Sequence, residues 1–513
     1  MEKTLTPFQK VALSKISDKQ YSLLHGITGS GKTEVYIRAV NEVVSKGEQA
    51  IVLVPEISLT PQTIARFSKY FKIAVIHSHL SKAQKSLEWK RILDNEVEVV
   101  VGARSALFAP VKKLGLIVLD EEHDSSFKQD SHPRYHAVEV AIHRAKFTGA
   151  KLVLGSATPS LESYHLFSNR ADFQVIDMPE RVDKLSLPSI QIVDLRKELI
   201  AGNKGVISYC LRKEIKKSLS KGLQVILLQN RRGFSTFLLC RECGFVVECP
   251  NCSVALTFHK KTNSLCCHYC GYRVSLSSLC PRCHSKYFRF FGTGTQKVEN
   301  ELGAMFPDTP IFRMDRDTTR RKGSYERILT DFAKTKSSIL LGTQMIAKGH
   351  DFPNVNLVGV ISADTALNFP DFRAAERTFQ LLTQVAGRAG RSPLTKESIV
   401  IIQSYNPEHY AINTIVNGNY KDFYDKELSF RKELDYPPYS QLILVTISSK
   451  NKKVASEIIP GLIPAPIFKL RGLYRFQKLF KKNKKNLEAI EKLVSVSISG
   501  VSIDIDVDPF SFT

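Results

Sequence analysis

An octapeptide near the start of the chain constrains its fold more than any other sequence feature. Residues 26–33 read Gly-Ile-Thr-Gly-Ser-Gly-Lys-Thr and fit the pattern G-x-x-x-x-G-K-[ST]. A predicted strand at 22–25 precedes them, and residues 33–46 follow with helical periodicity. In such a strand–loop–helix unit, backbone amides and the helix N-terminus bind phosphate oxygens. The octapeptide therefore predicts an α/β nucleotide-binding fold. The alternative, a glycine turn without a ligand, is disfavoured by this context.

A phosphate loop of this kind implies ATP and Mg²⁺ as cofactors. Lys32 would reach the β- and γ-phosphates, and the Thr33 hydroxyl would bind Mg²⁺. Asp120 and Glu121 directly follow an apolar segment, residues 116–119. At the carboxyl edge of a parallel sheet, Asp120 would hold Mg²⁺ through water, and Glu121 would orient and deprotonate the attacking water. The predicted ligands of the phosphates and Mg²⁺ in the loop are Gly26, Thr28, Gly29, Ser30, Gly31, Lys32 and Thr33.

Short β-branched segments alternate with helical stretches in two regions of the chain. In the first region, strands are predicted at 22–25, 50–54, 73–77, 97–101, 116–119 and 152–154. In the second region, they are predicted at 225–228, 338–341, 357–361 and 398–403. This alternation predicts parallel sheets covered by helices. The predicted domains are a first lobe at 1–180, a second lobe at 181–428 with an insertion at 237–290, and a small α+β domain at 429–513.

The balance of charge points to a polyanionic partner. The 513 residues include 73 Lys and Arg against 50 Asp and Glu, which gives a net charge of +23. Phosphate backbones bind such surfaces by releasing condensed counterions, although a solvated basic surface without a partner is the alternative. No apolar run approaches the roughly 18 residues of a membrane span, and the first residues lack the apolar core of a signal peptide. We therefore expect a cytoplasmic protein that binds nucleic acid and no membrane.

Nine of the ten cysteines lie between residues 240 and 283, and eight of them form four C-x₂-C pairs. Disulfides would need an oxidising compartment, whereas eight thiolates suit two tetrahedral Zn²⁺ ions. Cys266 is set aside because the x₂ spacing selects Cys267. The spacing alone does not decide which four cysteines share an ion. The predicted ligands are Cys240, Cys243, Cys249, Cys252, Cys267, Cys270, Cys280 and Cys283.

Two segments combine aromatic side chains with basic or polar ones. Residues 469–485 hold eight Lys or Arg residues, interleaved with Tyr474, Phe476 and Phe480. Aromatic rings stack on bases while cations pair with phosphates, so this segment is a candidate contact for single-stranded DNA. A solvated β-hairpin with a lysine-rich turn is the alternative. Stacking candidates among the cysteines are Phe245, Phe258, His259 and Tyr269.

The order of motifs resembles that of the superfamily 2 helicases. Residues 120–123 read Asp-Glu-Glu-His, and the segments similar to the other motifs are 5–9, 54–60, 101–106, 155–160, 229–233, 341–352 and 384–391. Together with the Cys-rich insertion, the set resembles the PriA family of replication-restart helicases over nearly the whole chain. Segments 124–129 and 133–136 resemble the aromatic-rich loop of that family, which senses DNA next to the ATP site. The resemblance implies two RecA-like lobes, 3′→5′ unwinding of DNA at stalled forks driven by ATP, and primosome assembly.

The resemblance also implies roles for individual residues. Gln9 would contact adenine, and Gln384, Arg388 and Arg391 would act in catalysis. The two arginines, three residues apart, would share one helix face and reach across a cleft to the γ-phosphate. One zinc ion would be held by Cys240, Cys243, Cys280 and Cys283, and the other by Cys249, Cys252, Cys267 and Cys270. The residues implied in DNA contact or in coupling hydrolysis to movement are Arg104, Phe127, Lys128, Arg134, Tyr135, Ser156 and Thr158.

The implied partners are DNA forks, single-stranded DNA, a single-stranded DNA-binding protein and primosome or helicase-loading proteins, with the chain acting as a monomer. Residue 1 lies just before the motif at 5–9, so we expect the chain to lack the family's N-terminal 3′-end-binding and winged-helix domains.

Two other functions fit parts of the sequence. A primosome scaffold that barely hydrolyses ATP is disfavoured by the presence of Lys32, Asp120, Glu121 and Arg388. The motor subunit of a restriction-like nuclease is disfavoured by the Cys-rich insertion and by the lack of an evident cluster of nuclease carboxylates in the sequence.

Overall fold

The structure, a computed structural model, describes two compact units of the chain, one within Met1–Ser186 and the other within Leu187–Ala347 and Asp351–Thr513. The first unit holds one parallel sheet. The second holds another parallel sheet, the Cys-rich segment and a small antiparallel sheet. The described residues are 4–56, 61–78, 80–184, 187–229, 237–259, 263–275, 277–290, 294–315, 317–319, 321, 323–347, 352–390, 397–495 and 498–510.

The first unit contains a seven-stranded parallel sheet, whose strands are β1 (Tyr21–Gly26), β2 (Gln49–Leu53), β3 (Ile73–Ile76), β4 (Val99–Gly102), β5 (Leu114–Asp120), β6 (Lys151–Ser156) and β7 (Phe173–Met178). Their order in the sheet is β3-β4-β2-β5-β6-β1-β7. The helices of the unit are α1 (Pro7–Asp18), α2 (Lys32–Ser45), α3 (Pro61–Ser68), α4 (Lys82–Leu93), α5 (Ala137–Thr148) and α6 (Leu161–Asn169). All six strands predicted in this region are confirmed.

The central strands of this sheet are buried on both faces, which explains their nearly continuous apolar sequences. In β5, for example, alternate residues Ile117 and Leu119 pack in one core cluster while Leu116 and Val118 pack in the other. The two clusters lie on opposite faces because successive side chains of a strand point in opposite directions. Helices cover both faces, and the strand ends are left to form the site.

The strands of the second unit are β8 (Ser189–Asp194), β9 (Gln224–Leu228), β10 (Leu238–Cys240), β11 (Thr257–His259), β12 (Ser264–Cys266), β13 (Arg273–Ser275), β14 (Phe288–Phe290), β15 (Ile311–Met314), β16 (Ile339–Gly342), β17 (Val355–Val360), β18 (Ile399–Ser404), β19 (Leu442–Ser449), β20 (Ile463–Leu470), β21 (Leu473–Lys481) and β22 (Val501–Val507). Six of them form a parallel sheet in the order β15-β16-β9-β17-β18-β8. The helices of the unit are α7 (Leu195–Ile200), α8 (Tyr209–Ser220), α9 (Thr295–Met305), α10 (Ser324–Lys334), α11 (Asp364–Leu367), α12 (Ala374–Ala386), α13 (Tyr410–Val416), α14 (Tyr420–Glu433), α15 (Lys452–Glu457) and α16 (Lys484–Ser495).

The Cys-rich segment and the C-terminal sheet pack on each other within this unit. Strands β10–β14 form two small antiparallel sheets, and β19–β22 form a four-stranded antiparallel sheet in the order β20-β21-β19-β22. One face of β19 packs under α15 and α16 through Ile443 and Val445. The opposite face, with Leu442 and Leu444, joins the core of the Cys-rich segment. The predicted α+β domain is therefore present and shares a core with the insertion.

Three strands of the parallel sheets were not predicted, and all three are edge strands: β7, β8 and β15. An edge strand is covered less completely, so its sequence mixes polar and apolar residues. In β8 the sequence Ser-Ile-Gln-Ile-Val-Asp has only one buried position, Val193. Such a segment lacks the apolar run that indicates a central strand.

The observed elements also shift two predicted boundaries. The boundary after residue 428 falls inside α14, and the C-terminal sheet itself begins at Leu442. Residues 181–184 come after the predicted boundary at residue 180, yet they belong to the first unit. The amide of Val182 donates to the carbonyl of Gly29 in that unit at 3.0 Å. Among the helices that the structure describes, none is long and apolar enough to span a membrane.

Candidate functional site

The octapeptide forms a turn between the carboxyl end of β1 and the start of α2 at Lys32. Gly29 and Gly31 have φ angles of 88° and 79°, a left-handed conformation that glycine adopts without steric cost. The amide of Ser30 donates to the carbonyl of Ile27 at 3.0 Å. Lys32 is 9% exposed, and its ammonium donates to the carbonyl of Gly26 at 2.7 Å. The residues therefore have the strand–loop–helix arrangement that suits phosphate binding.

Gln9 on α1 braces this loop from one side. Its Nε2 donates to the carbonyls of Ser30 at 3.4 Å and Gly31 at 3.3 Å. Its Oε1 accepts from the amide of Thr6 at 2.9 Å, and the Thr6 hydroxyl accepts from the amide of Gln9 in return, as in a capping box. Both ends of the Gln9 amide therefore bond within the chain. The adenine contact implied by the family resemblance stays a prediction.

Asp120 ends β5, and its surroundings depend on Tyr36, which the sequence did not single out, and on Gly155, which begins the motif at 155–160. The hydroxyl of Tyr36 donates to Asp120 Oδ1 at 3.0 Å. Tyr36 passes so close to β6 that a Cβ added to Gly155 would lie 1.6 Å from its hydroxyl oxygen, which excludes any side chain at that position. Burial and the neighbouring Glu121 carboxylate raise the pKa of Asp120 to about 6, against the lowering effect of the Lys32 ammonium. Asp120 and Lys32 thus act on each other at the same edge of the sheet.

Glu121 and His123 connect the end of β5 to the end of β6. Glu121 has a φ of 52°, a left-handed conformation that is uncommon for a residue with a side chain. Its Oε2 lies 3.7 Å from Nδ1 of His123, and the same nitrogen lies 2.7 Å from the hydroxyl oxygen of Ser156. Ser156 in turn accepts from the amide of Thr158 at 2.9 Å. A chain of contacts therefore joins Glu121, the residue predicted to activate water, to Ser156 and Thr158, predicted to couple hydrolysis to movement.

Glu122 makes the second connection between these two segments. It is 1% exposed, and its carboxylate accepts from the amide of Ser160 at 2.7 Å, the hydroxyl of Ser160 at 3.1 Å and the hydroxyl of Ser163 at 2.8 Å. Its own amide donates to the carbonyl of Gly155 at 3.1 Å. The carboxylate thus sits at the first turn of α6, where negative charge is favoured by the helix dipole. Sequence reasoning assigned roles only to the two residues before it.

Replacement of Glu122 by alanine is expected to destabilise the first unit by about 3 kcal/mol, because the donors of Ser160 and Ser163 would lose their buried acceptor. For a unit of this size, each kcal/mol corresponds to a fall of about 2–4 °C in the unfolding midpoint. Thermal unfolding of the variant and the parent protein measures the change. Glu121→Ala is the matched control, since the side chain of Glu121 is 35% exposed and a much smaller shift is expected. Equal shifts for the two variants would contradict the structural role of Glu122.

The segment predicted to be an aromatic-rich DNA sensor is anchored to the first unit by Arg104. The guanidinium donates to the carbonyl of Ser126 at 2.7 Å and also to that of Lys128. Phe127 is 1% exposed and belongs to the core of the unit. Its position supports anchoring of the loop and not stacking on a DNA base, because a base cannot reach a ring that is already packed.

Of the other predicted residues of this loop, Lys128 is also buried, whereas Arg134 and Tyr135 are half-buried. Lys128 is 4% exposed, and its ammonium donates to the carbonyl of Arg134 at 3.4 Å. Tyr135 meets the ring of Phe108 edge-on at 5.0 Å, and Phe108 is 48% exposed. Phe108 is thus an exposed aromatic residue next to this loop, and it lies two residues beyond the motif segment at 101–106 that was identified in the sequence.

In the second unit, Gln384 lies in the last turn of α12, which ends at Ala386. Gly390, with a φ of 69°, follows in a left-handed conformation that does not continue a helix. Arg388 therefore lies in the turn after α12, so the prediction that places Arg388 on a helix face is wrong. Burial raises the pKa of Tyr325 to about 12, and the nearby Arg388 guanidinium opposes that rise. Arg391 lies outside the described residues, as do the predicted motif residues 57–60, 230–233 and 348–351.

The eight predicted zinc ligands form two clusters, and within each the four sulfur atoms lie within 4.8 Å of one another. Cys240, Cys243, Cys280 and Cys283 form one cluster; Cys249, Cys252, Cys267 and Cys270 form the other, which is the pairing that the resemblance implied. The Sγ–Sγ distances for Cys240–Cys283, Cys243–Cys280 and Cys249–Cys270 are 3.6, 3.6 and 3.5 Å. Four thiolates at about 2.3 Å from Zn²⁺ would be about 3.8 Å apart, so both clusters fit the ion.

All four C-x₂-C pairs have the same backbone turn. In each, the amide four residues after the first cysteine donates to that cysteine's carbonyl, over 2.8–3.0 Å. The donors are Gly244, Ser253, Gly271 and His284, and all four have positive φ angles. Only the two glycines were visible in the sequence as a signal for this turn. Cys266 is buried and belongs to neither cluster, as predicted.

The Cys-rich segment is tied to the start of α12. The amide of Phe372 donates to the hydroxyl of Tyr269 at 3.1 Å, and the ring of Phe372 stacks on Tyr436 with 4.7 Å between centroids. Arg431 on α14 is fully buried and pairs with the carboxylates of Glu376 on α12 and Glu427. Because Tyr269 is only 9% exposed, the prediction that it is available for stacking on DNA is wrong. Its ring and its hydroxyl are used to join two parts of the second unit.

The basic segment at 469–485 forms the hairpin of β20 and β21 and the start of α16. Phe476 is buried against the helices, so it does not face solvent. The ammonium of Lys469 lies 4.7 Å from the ring of Tyr474, and that of Lys478 lies 4.9 Å from the ring of Phe480. Cations beside aromatic rings are compatible with both interpretations of this segment, a contact for single-stranded DNA and a solvated hairpin. The DNA contact therefore stays a prediction.

Three family models match the chain. The DEAD/DEAH box helicase model matches residues 6–167, the helicase conserved C-terminal domain model matches residues 289–393, and the PriA DNA helicase Cys-rich region model matches residues 249–274. Together with two parallel-sheet lobes, a phosphate loop and the Asp-Glu-Glu-His strand end, these matches place the chain in the class of helicase-fold P-loop proteins.

Curated relatives define the family within this class. The chain is 46% identical over 99% of its length to the replication restart protein PriA of Bacillus subtilis (strain 168), of which it covers 66%. For the same protein of Synechocystis sp. the values are 44%, 99% and 65%, and for that of Haemophilus influenzae they are 39%, 99% and 72%. The chain therefore belongs to the PriA family of replication restart proteins. It spans about two thirds of the length of the first two relatives.

Proposed function

We propose that the chain is an ATP-dependent DNA helicase that translocates 3′→5′, unwinds duplex at stalled replication forks and initiates primosome assembly for replication restart. The observation that carries the proposal is the double link from residues 120–123 to residues 155–163, through His123 to Ser156 and through Glu122 to Ser160 and Ser163. Through such a link, a change at the hydrolysis site would move the segment at 155–163, which the resemblance implies in coupling hydrolysis to movement. Membership of the PriA family supports the direction and the biological context.

The phosphate loop and Asp120 are the proposed binding site for Mg²⁺ and ATP. Mg²⁺ would neutralise charge on the phosphates. A buried carboxylate whose pKa is raised to about 6 suits this role, because a bound cation favours its ionised form. Lys32 would bind the β- and γ-phosphates, the Thr33 hydroxyl and Asp120 would hold the ion, and Glu121 would take a proton from the attacking water.

The positive charge of the chain supports DNA as the polyanion, with the basic hairpin and the exposed Phe108 as candidate contacts. Two zinc ions, one per cysteine cluster, are proposed as structural ions. By family membership we propose forks and single-stranded DNA as substrates, with a single-stranded DNA-binding protein and primosome or helicase-loading proteins as partners. We further propose that the chain acts as a monomer in the cytoplasm.

The deciding experiment compares ATP hydrolysis with and without single-stranded DNA and, on the same protein, strand separation of a forked duplex. A helicase hydrolyses ATP faster with DNA present and separates the strands only with Mg²⁺ and ATP. A scaffold that binds forks would show neither effect, and that result would overturn the proposal. Lys46→Ala, at the exposed far end of α2, is a matched control that should behave like the parent protein.

Arg388→Ala is expected to lower the rate of ATP hydrolysis far more than the affinity for ATP, because a cation that acts on the transition state contributes little to ground-state binding. Arginines in this role contribute about 10³–10⁵-fold in rate. Steady-state kinetics and equilibrium binding of a non-hydrolysable analogue, AMP-PNP, separate the two quantities. Arg241→Ala, which removes another arginine of the second unit, serves as the control. Normal turnover with weakened ATP binding in Arg388→Ala would contradict the assigned role.

A further inference from the structure

The segment that follows β7 runs along the phosphate loop and donates two hydrogen bonds to it. We call this segment, residues 179–184, the strap. The carbonyl of Met178, just before the strap, accepts from the amide of Ile27 at 3.2 Å. The amide of Val182 donates to the carbonyl of Gly29 at 3.0 Å, and Nε of Arg181 donates to the carbonyl of Thr28 at 3.3 Å. The strap therefore forms a wall on the side of the loop opposite the β1–β6 pairing.

Arg181 holds the strap to the loop. Arg181 is only 5% exposed, although arginine is rarely buried in proteins. A Cβ added to Gly29 would lie 3.4 Å from Arg181 Cγ, so the alkyl part of the side chain lies directly against the glycine. The bond to Thr28 and this packing fix the position of the next residue, Val182, relative to the phosphate loop.

Val182 presents apolar surface beside the loop. It is 47% exposed, and its Cγ2 lies 2.8 Å from the place that a Cβ of Gly31 would take. Gln9 Nε2 lies 2.4 Å from the same place and donates to the loop carbonyls. Gly31 thus lies close to Gln9, whose side-chain amide already donates to loop carbonyls, and to Val182, which has nearly half of its surface exposed. An apolar side chain does not stabilise a charged phosphate, whereas it can pack against the flat face of a nucleobase.

We propose that the strap is the base-side wall of the nucleotide site, in which Val182 contacts the nucleobase or its ribose and Arg181 positions the strap. The proposal rests on the proposed function, since it requires that the loop binds ATP. It assigns the base-side contact to a segment that none of the helicase motifs identified in the sequence includes. An apolar contact of this kind recognises the planar base and not a particular pattern of hydrogen-bond donors, so it adds affinity for the base side of ATP.

The test separates the base from the phosphates by using two ligands, AMP-PNP and inorganic tripolyphosphate, each titrated calorimetrically with Mg²⁺. Val182→Ser should weaken AMP-PNP binding about fivefold to tenfold, in line with the loss of a small apolar contact, and leave tripolyphosphate binding within about twofold. Val182→Ile keeps the apolar surface and should bind both ligands like the parent protein. Val416→Ser is the matched control, because Val416 on α13 is 46% exposed and lies in the other unit.

The outcomes distinguish the strap from the phosphate loop. Unchanged AMP-PNP binding by Val182→Ser, or an equal loss of both ligands, would overturn the role of Val182 while leaving ATP binding by the loop intact. Lys32→Ala should lose both ligands. If the parent protein binds neither ligand, the proposed function fails, irrespective of what the strap does.

Discussion

Replacement of Lys32 by alanine is expected to lower the DNA-stimulated rate of ATP hydrolysis by about 10²–10³-fold or more, the usual effect of removing a preorganised charge from a transition state. Lys32 begins α2, and its ammonium stands within the loop, bonded to the carbonyl of Gly26. Alanine keeps the helix and the glycine turn but removes the only cation among loop residues 26–33. The developing charge on the γ-phosphate would then lack its nearest compensation from the first lobe.

DNA affinity should change by no more than about twofold in this variant, because phosphate backbones are bound by many basic side chains. Kinetics of ATP hydrolysis and equilibrium DNA binding, measured at one salt concentration, check the two halves of the expectation. Glu121→Gln is a useful companion, since it should bind ATP with near-normal affinity and stall before hydrolysis. Substantial DNA-stimulated turnover by Lys32→Ala would show that the loop is not the site of hydrolysis.

Replacement of Cys249 or Cys283 by serine is expected to remove about one zinc ion of two per chain. The two residues belong to different clusters, and three thiolates with a hydroxyl hold Zn²⁺ poorly. Metal binding contributes about 10–16 kcal/mol to small zinc modules, which have little core of their own. Loss of either ion should therefore loosen the Cys-rich segment and its bond to Phe372 through Tyr269. Metal analysis of protein purified without a chelator, together with limited proteolysis, measures both effects.

Cys266→Ser provides the matched control within the same segment. Cys266 is buried and directly precedes the ligand Cys267, yet its sulfur lies in neither cluster. Zinc content should stay at two ions in this variant. We expect strand separation to suffer more than DNA-stimulated ATP hydrolysis in the cluster variants, since the phosphate loop lies in the first unit and the clusters lie in the second. Loss of zinc from Cys266→Ser, or full zinc in Cys249→Ser, would contradict the observed grouping.

The sequence by itself determined the features that local chemistry encodes. The octapeptide, the apolar run before Asp120 and the four C-x₂-C pairs each specify a turn, a strand end or a metal ligand within a few residues. The central strands were predictable because burial on both faces demands continuous apolar residues. The edge strands β7, β8 and β15 were missed because their one-sided or partial burial leaves a mixed sequence.

Only the tertiary structure decided which distant residues meet. Tyr36 reaches Asp120 because Gly155 on a third segment leaves room for its hydroxyl, and no spacing rule connects those positions. Glu122 looked like part of an acidic run, yet folding buries it and surrounds it with donors from α6. Arg181 is likewise buried by folding, where it donates to the carbonyl of Thr28, although in the sequence it is only one of many basic residues. Contacts of this kind depend on how strands are ordered in a sheet, and strand order is set by the packing of the whole lobe and not by any local pattern.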